Sequence, residues 1–231
     1  MSRGLLAGVT VLSLEQATTL PFLTYRLACD GARVIRVENA ERPDPNRFVG
    51  REILSEPAMR SYFLPNNCGK EAIPLNLGHP EGQALLRHLI AKLRVDVFAC
   101  NQRPGSYARL GIEPAALSTV KPDLIWLGIT GFGPEHDEAA YDPVLQARSG
   151  FMTINGEPDG GPLLPPIALT DEVTALAAAF ATLAALRSGV GQVVDVNLLE
   201  TMLQLMGPLP AAHAATGYLQ PRLGSGIPYS V

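Results

Sequence analysis

The sequence is poor in charge, in cysteine and in clustered histidine, and each shortage closes off a class of function. Only 17% of its 231 residues are Asp, Glu, Lys or Arg, against roughly 25% in an average soluble domain. With 47% apolar residues the chain is too hydrophobic to be disordered. The net charge is −4 and no basic stripe occurs, which excludes a nucleic-acid partner, because a phosphate backbone demands clustered Lys and Arg. The three cysteines, Cys29, Cys68 and Cys100, are odd in number and lack CxxC or Cys/His spacing. They are expected as buried small hydrophobes in a reducing compartment, and no metal site is expected. The histidines (His79, His88, His136 and His213) are scattered and read as surface or core residues. No G-x-G-x-x-G, P-loop, G-x-S-x-G or H-E-x-x-H is present. The longest helical apolar run, Ala175–Leu186, covers twelve residues, whereas a membrane span needs about twenty, so no membrane partner is expected. Arg3 precedes an apolar stretch, Leu5–Leu14, but the stretch mostly alternates, Glu15 follows at once and no A-x-A site appears. It reads as a first buried strand, and the chain as cytoplasmic.

What is present is an alternation. Short β-rich runs at Val9–Leu14, Arg33–Glu38, Ala72–Asn76, Val95–Cys100, Asp123–Thr130 and Gln192–Val196 are interleaved with helical segments, the signature of a parallel sheet covered by helices. Helices are predicted over Pro21–Asp30, Pro80–Leu93, Pro114–Val120, Asp171–Arg187 and Leu198–Met206. The fourth has Thr170 placed to cap it and Gly189 to stop it. The 22 glycines and 20 prolines are spread without a period and mark many turns. The loops Ala40–Ala58 and Asn155–Ala168 are long enough to suggest functional segments.

Several short blocks stand in a characteristic order. They run Ala32-Arg33-Val34-Ile35-Arg36-Val37-Glu38, Asn67-Cys68-Gly69-Lys70, Leu75-Asn76-Leu77 with Pro80-Glu81-Gly82, and Asn101-Gln102-Arg103-Pro104-Gly105. Then follow Arg109-Leu110-Gly111, Gly128-Ile129-Thr130-Gly131-Phe132-Gly133, Tyr141-Asp142-Pro143 and Gly191-Gln192-Val193-Val194-Asp195-Val196. In order and spacing this set resembles the class III coenzyme A transferases, the family of formyl-CoA transferase, carnitine CoA-transferase and α-methylacyl-CoA racemase. The resemblance runs from about Gly8 to the end of the sequence. It implies an α/β fold, a Rossmann-like, mostly parallel sheet with helices on both faces. A CoA-binding large domain would span residues 1–196. Residues 197–231 would form a helix and a truncated interdomain linker, without most of the family's small second domain.

The resemblance also implies a site. The CoA-lining segments correspond to Thr18, Thr19, Asn39, Leu75, Asn76, Leu77, Gly78, Asn101, Gln102, Arg103, Arg109, Ala140, Tyr141 and Asp142. Each follows a strand assigned from the sequence pattern. Arg103 and Arg109 carry the guanidinium fork that suits CoA phosphates. The family's nucleophile corresponds to Asp171, whose carboxylate would attack a thioester, and the dipole of a helix N-terminus would favour its charge. Gln16 and Tyr141 would lie near the acyl end. Coenzyme A and acyl-CoA would be substrates, not a permanently bound cofactor, and a small carboxylic acid the acceptor. A neutral tyrosine stands where the family's racemases place a histidine. Its ordinary pKa near 10 makes it a poor base, which favours transfer over racemisation. The broadly apolar last helix predicts a homodimer, and a separate chain supplying the second domain is the variant of that expectation. The alternative is a non-catalytic or partner-dependent CoA-binding unit; a racemase is third.

Overall fold

Six strands form in a computed structural model that describes residues 4–228; residues 1–3, with the Arg3 noted above, and residues 229–231 lie outside it. They are β1 (Thr10–Leu14), β2 (Arg33–Glu38), β3 (Glu71–Pro74), β4 (Val97–Cys100), β5 (Ile125–Thr130) and β6 (Gln192–Asn197). Their order across the sheet is β3-β2-β1-β4-β5-β6. Every pair is parallel, with Leu12 opposite Ile35 on one side and Phe98 on the other. The expected "mostly parallel" sheet is thus wholly parallel among the described strands, in the doubly wound order of dinucleotide-binding folds.

Such a sheet must be covered on both faces, and the strands read accordingly as near-continuous apolar runs. Alternate residues supply two cores. Val11, Val34, Val97, Ala99, Ile125 and Leu127 belong to one core. Leu12, Ile35, Phe98, Cys100 and Trp126 belong to the other.

The helices are α1 (Thr19–Cys29), α2 (Pro80–Lys92), α3 (Tyr107–Leu110), α4 (Pro114–Ser118), α5 (Asp142–Arg148), α6 (Phe151–Ile154), α7 (Leu169–Ser188), α8 (Leu198–Leu205) and α9 (Pro208–Thr216). Helices α1 and α7 pack together over the first core, and α8 packs on α7 and α5 with Leu198 and Met202 buried. Leu86 and Ile90 of α2, with Leu117 of α4, close the second.

Four expectations are corrected. Helix α7 begins at Leu169, its N-cap position is Ala168, and Thr170 lies inside the first turn with its hydroxyl buried and unpartnered. It does not cap the helix. Cys29 and Cys68 are exposed; only Cys100 is buried, where desolvation pushes its thiol up to about 12. Within residues 197–231, expected as one helix and a linker, a second helix, α9, forms, because Pro208 sits at N1, alanines follow and Gly217 closes the helix in the left-handed region. Finally, α7 has 20 residues and by length and composition alone is apolar enough to cross a membrane. In this fold it is a sheet-covering helix. Ala175, Ala178 and Ala185 are buried in the core, while Leu176, Phe180 and Leu183 form an exposed stripe.

Candidate active site

In an open parallel sheet, ligands lie beyond the carboxyl ends of the strands where the strand order reverses. Here that point is between β1 and β4. The turn after β1 lacks glycine, and Ala17 takes the left-handed region at φ 61°. A non-glycine residue there needs outside support, and it has two sources. The Asn101 side chain, at the end of β4, brackets Gln16: its Oδ1 accepts from the Gln16 N–H at 3.1 Å and its Nδ2 donates to the Gln16 carbonyl at 2.8 Å. From the other flank, Asp44 Oδ1 accepts from the Ala17 N–H at 3.1 Å.

Asp44 belongs to a buried charge network beneath this turn. Arg36 donates to Asp44 Oδ2 at 2.7 Å, also bonds Asn67, and lies over the Phe63 ring. Lys70 donates to Glu15 at 2.7 Å and to the Pro21 carbonyl at 2.9 Å, while Thr24 donates to the other Glu15 oxygen at 2.6 Å. Burial pulls the Lys70 ammonium below its usual range, opposed by Glu15. Glu38 takes both arms of Arg47 and the Asp44 N–H. The Asn67–Lys70 block therefore pins loop 40–66 against the end of β1. Isolated charges could not be buried so deeply; the pairing and hydrogen bonds make it feasible.

Two cavities open on this edge. The first, of about 450 Å3, lies over β1–β2–β3 and is lined by Asn39, Leu75, Asn76, Leu77, Gly78 and Arg109 of the expected residues. Arg42, Glu41 and Leu110, unforeseen, complete its rim. The second, of about 460 Å3, lies over β1–β4–β5 and holds Thr19, Asn101, Arg103, Ala140, Tyr141, Asp142 and Asp171. Gln16 and Gln102 line both, so the two cavities adjoin at the switch point. Thr18 lines neither; its hydroxyl instead accepts from Asn46 at 3.4 Å. His136 and Glu138, dismissed or unmentioned from sequence, line the second cavity. They arrive on the loop after β5, which folds back so closely that a Cβ on Gly131 would collide with that of Ala140. Asp137 fastens the loop by accepting from the Gly105 N–H at 2.7 Å. Among the described residues, no group of three or more His, Cys, Asp or Glu is placed to hold a metal.

Asp171 sits in the first turn of α7 facing this second cavity. Thr19 of α1 donates to its Oδ1 at 2.6 Å. Burial raises the carboxyl from 3.8 to about 6; the Thr19 bond works against the rise, and the charges of Asp142 and Glu172 add to it. Such a carboxylate is ionised at neutral pH yet more basic than an ordinary one, a combination suited to nucleophilic or base chemistry. Tyr141 is exposed at the cavity mouth. The Asp142 carboxylate, at the wall of this cavity, accepts through its oxygens from the Thr170 and Asp171 N–H groups and from Gln146.

Comparison with known proteins identifies the family and the fold. The profile of CoA-transferase family III matches residues 6–231. The succinate–glutarate CoA-transferase of Agrobacterium fabrum is 36% identical over 96% of this chain and 58% of its own length. The succinyl-CoA–D-citramalate CoA-transferase of Chloroflexus aurantiacus is 35% identical over 96% of this chain and 56% of its own. The crystal structure of a CAIB/BAIF family protein from Brucella suis superposes with a TM-score of 0.89 at 31% identity, covering 98% of this chain and 62% of that one. The chain thus spans a little over half the length of the curated relatives it matches. On sequence profile, fold and strand order together, it belongs to CoA-transferase family III.

Proposed function

We propose that this chain carries the CoA-binding and acyl-transferring centre of a CoA-transferase, moving coenzyme A from an acyl-CoA to a small carboxylic acid. One observation carries the reading. A half-buried carboxylate, Asp171, raised to about 6 and aimed by a 2.6 Å bond from Thr19, faces a cavity that adjoins a second one. The first cavity suits the nucleotide end of CoA. Leu75 and Leu77 offer apolar surface to a flat base, and Arg109 and Arg42 offer guanidinium forks to phosphates. The second would take the acyl end.

The chemistry follows from the carboxylate. An Asp171 oxygen attacks the thioester carbonyl, the C–S bond breaks, and CoA leaves as thiolate, giving a mixed anhydride. The thiolate then attacks the Asp171 carbonyl carbon and expels the donor as a free carboxylate, leaving CoA on the enzyme as a thioester. The acceptor carboxylate attacks that thioester, the thiolate departs, and it attacks the acceptor's acyl carbon to release Asp171. No proton is gained or lost. Gln16 and Tyr141 line the second cavity and would orient donor and acceptor there. The names of the relatives make succinate, glutarate and citramalate the first acids to try.

Mixing the chain with succinyl-CoA and digesting it should yield a mass-tagged Asp171 peptide, absent from Asp171→Ala. An Asp171→Ala variant with unchanged turnover overturns the reading. A second reading is favoured by the covered length and by the exposed Leu176–Phe180–Leu183 stripe. In it, the unit binds CoA but needs further polypeptide, from a second copy or another chain, for turnover. Calorimetry with CoA beside a turnover assay separates the two, since binding without turnover supports this second one.

A further inference from the structure

Helix α7 starts without a cap of its own. Ala168 occupies its N-cap position, where a methyl group offers no acceptor, although the first N–H groups of any helix need one. Thr170, within that first turn, is fully buried, so water cannot serve. The acceptor comes from 28 residues earlier. Asp142 Oδ1 accepts from the Thr170 N–H at 2.6 Å and from the Asp171 N–H at 3.3 Å. Its Oδ2 accepts from the Gln146 side-chain amide at 2.6 Å, which locks the carboxylate in that orientation. Asp142 is itself only 9% exposed and starts α5, which packs against α7.

We propose that Asp142 is a positioning residue for Asp171: its carboxylate supplies the missing cap of α7, fixes the direction in which the Asp171 side chain leaves the helix, and holds a second negative charge behind it. The proposal rests on Asp171 being the reactive carboxylate. A neutral Ser or Asn would satisfy the same N–H groups. A charged acceptor bonds them more strongly and adds a field that a neutral one lacks. Asp171 is met by the Thr19 hydroxyl from α1, by Asp142 from α5 and by Glu172 on its own helix. His136, Glu138, Arg103 and Tyr141 line the cavity in front of it. Burial and the two acidic neighbours push its proton affinity up, while Thr19 alone opposes them. A more basic carboxylate is the stronger nucleophile, so the side chain that caps the helix also adds to the reactivity that burial confers.

The test is a carbon-13 NMR titration of the Asp171 carboxyl in the chain itself, with amide exchange at Thr170 and Asp171 read in the same samples. No substrate is needed, so the outcome stands apart from the transfer reading, which fails only on turnover by Asp171 variants. Asp142→Asn keeps an acceptor oxygen and removes the charge. It should lower the Asp171 midpoint by about half a unit or more, a threefold change in the proton-binding constant, with both amides still protected. Asp142→Ala should in addition speed exchange of both amides at least tenfold. An unmoved midpoint in Asp142→Asn overturns the proposal. If neither variant folds, the unaltered chain decides: Thr170 and Asp171 amides that exchange as fast as open-chain amides overturn it, and slow exchange supports it.

Discussion

Replacing Asp171 by Asn should make the protein more stable while destroying its chemistry. The folded carboxyl holds its proton to about 6 against an ordinary 3.8. Between those values the folded state binds more protons than the unfolded one, so stability is fully present below about 4 and is lost as pH rises through about 6. The shift is close to two units at ~1.4 kcal/mol each, so ionised Asp171 costs the fold ~3 kcal/mol at neutral pH. The asparagine side chain never ionises, keeps an oxygen for the Thr19 hydroxyl and fits the same space. Its expected gain at pH 7.5 is ~2–3 kcal/mol, or ~5–10 °C in Tm for a chain of this size. At pH 4 the gain should vanish, since both side chains are then neutral. Urea unfolding followed by circular dichroism at the two pH values measures it, with an unchanged m-value confirming that only stability moved. Equal or lower stability of Asp171→Asn at pH 7.5, or a gain that persists at pH 4, refutes the reasoning.

Three further outcomes are expected. Thr19→Val removes the one hydrogen bond that opposes the rise of Asp171; a bond to a charged group is worth ~1.5–3 kcal/mol, so the NMR midpoint should climb by ~1–2 units and the acid limb of any transfer activity should move up with it. Asn101→Leu cuts both bonds to the Gln16 backbone, and should leave the fold within ~1–2 kcal/mol while weakening CoA binding several-fold by calorimetry. Arg36→Met strands the buried Asp44 carboxylate; urea unfolding should show a loss of ~3–5 kcal/mol.

Much of the fold was legible because its causes are local. Val34-Ile35-Arg36-Val37 reads as a strand from β-branched residues, and Arg33–Glu38 is where β2 runs. The Pro80 and Glu81 start of α2 is visible within one turn, and α2 does start there. The α7 start was misread for the same reason: Thr170 is a good capping residue, but the true acceptor is Asp142, and no local pattern links positions 28 apart. Loop residues were similarly hidden. His136 looked isolated, and enters the site only because Gly131 lets its loop double back onto β5.

Sequence alone determined the class: alternating strand and helix patterns force a parallel sheet with two buried faces, and the ordered blocks point to one family. Only the tertiary structure decided what each block does. It made Asn101 and Asp44 the supports of a strained turn, made Lys70 a buried ionic brace on Glu15, and gave Asp142 to the helix that presents Asp171. Periodicity records which way a side chain faces along its own element. A hydrogen-bond partner is set by which elements the sheet order brings together, and a carboxylate's proton affinity by the burial and charges found there.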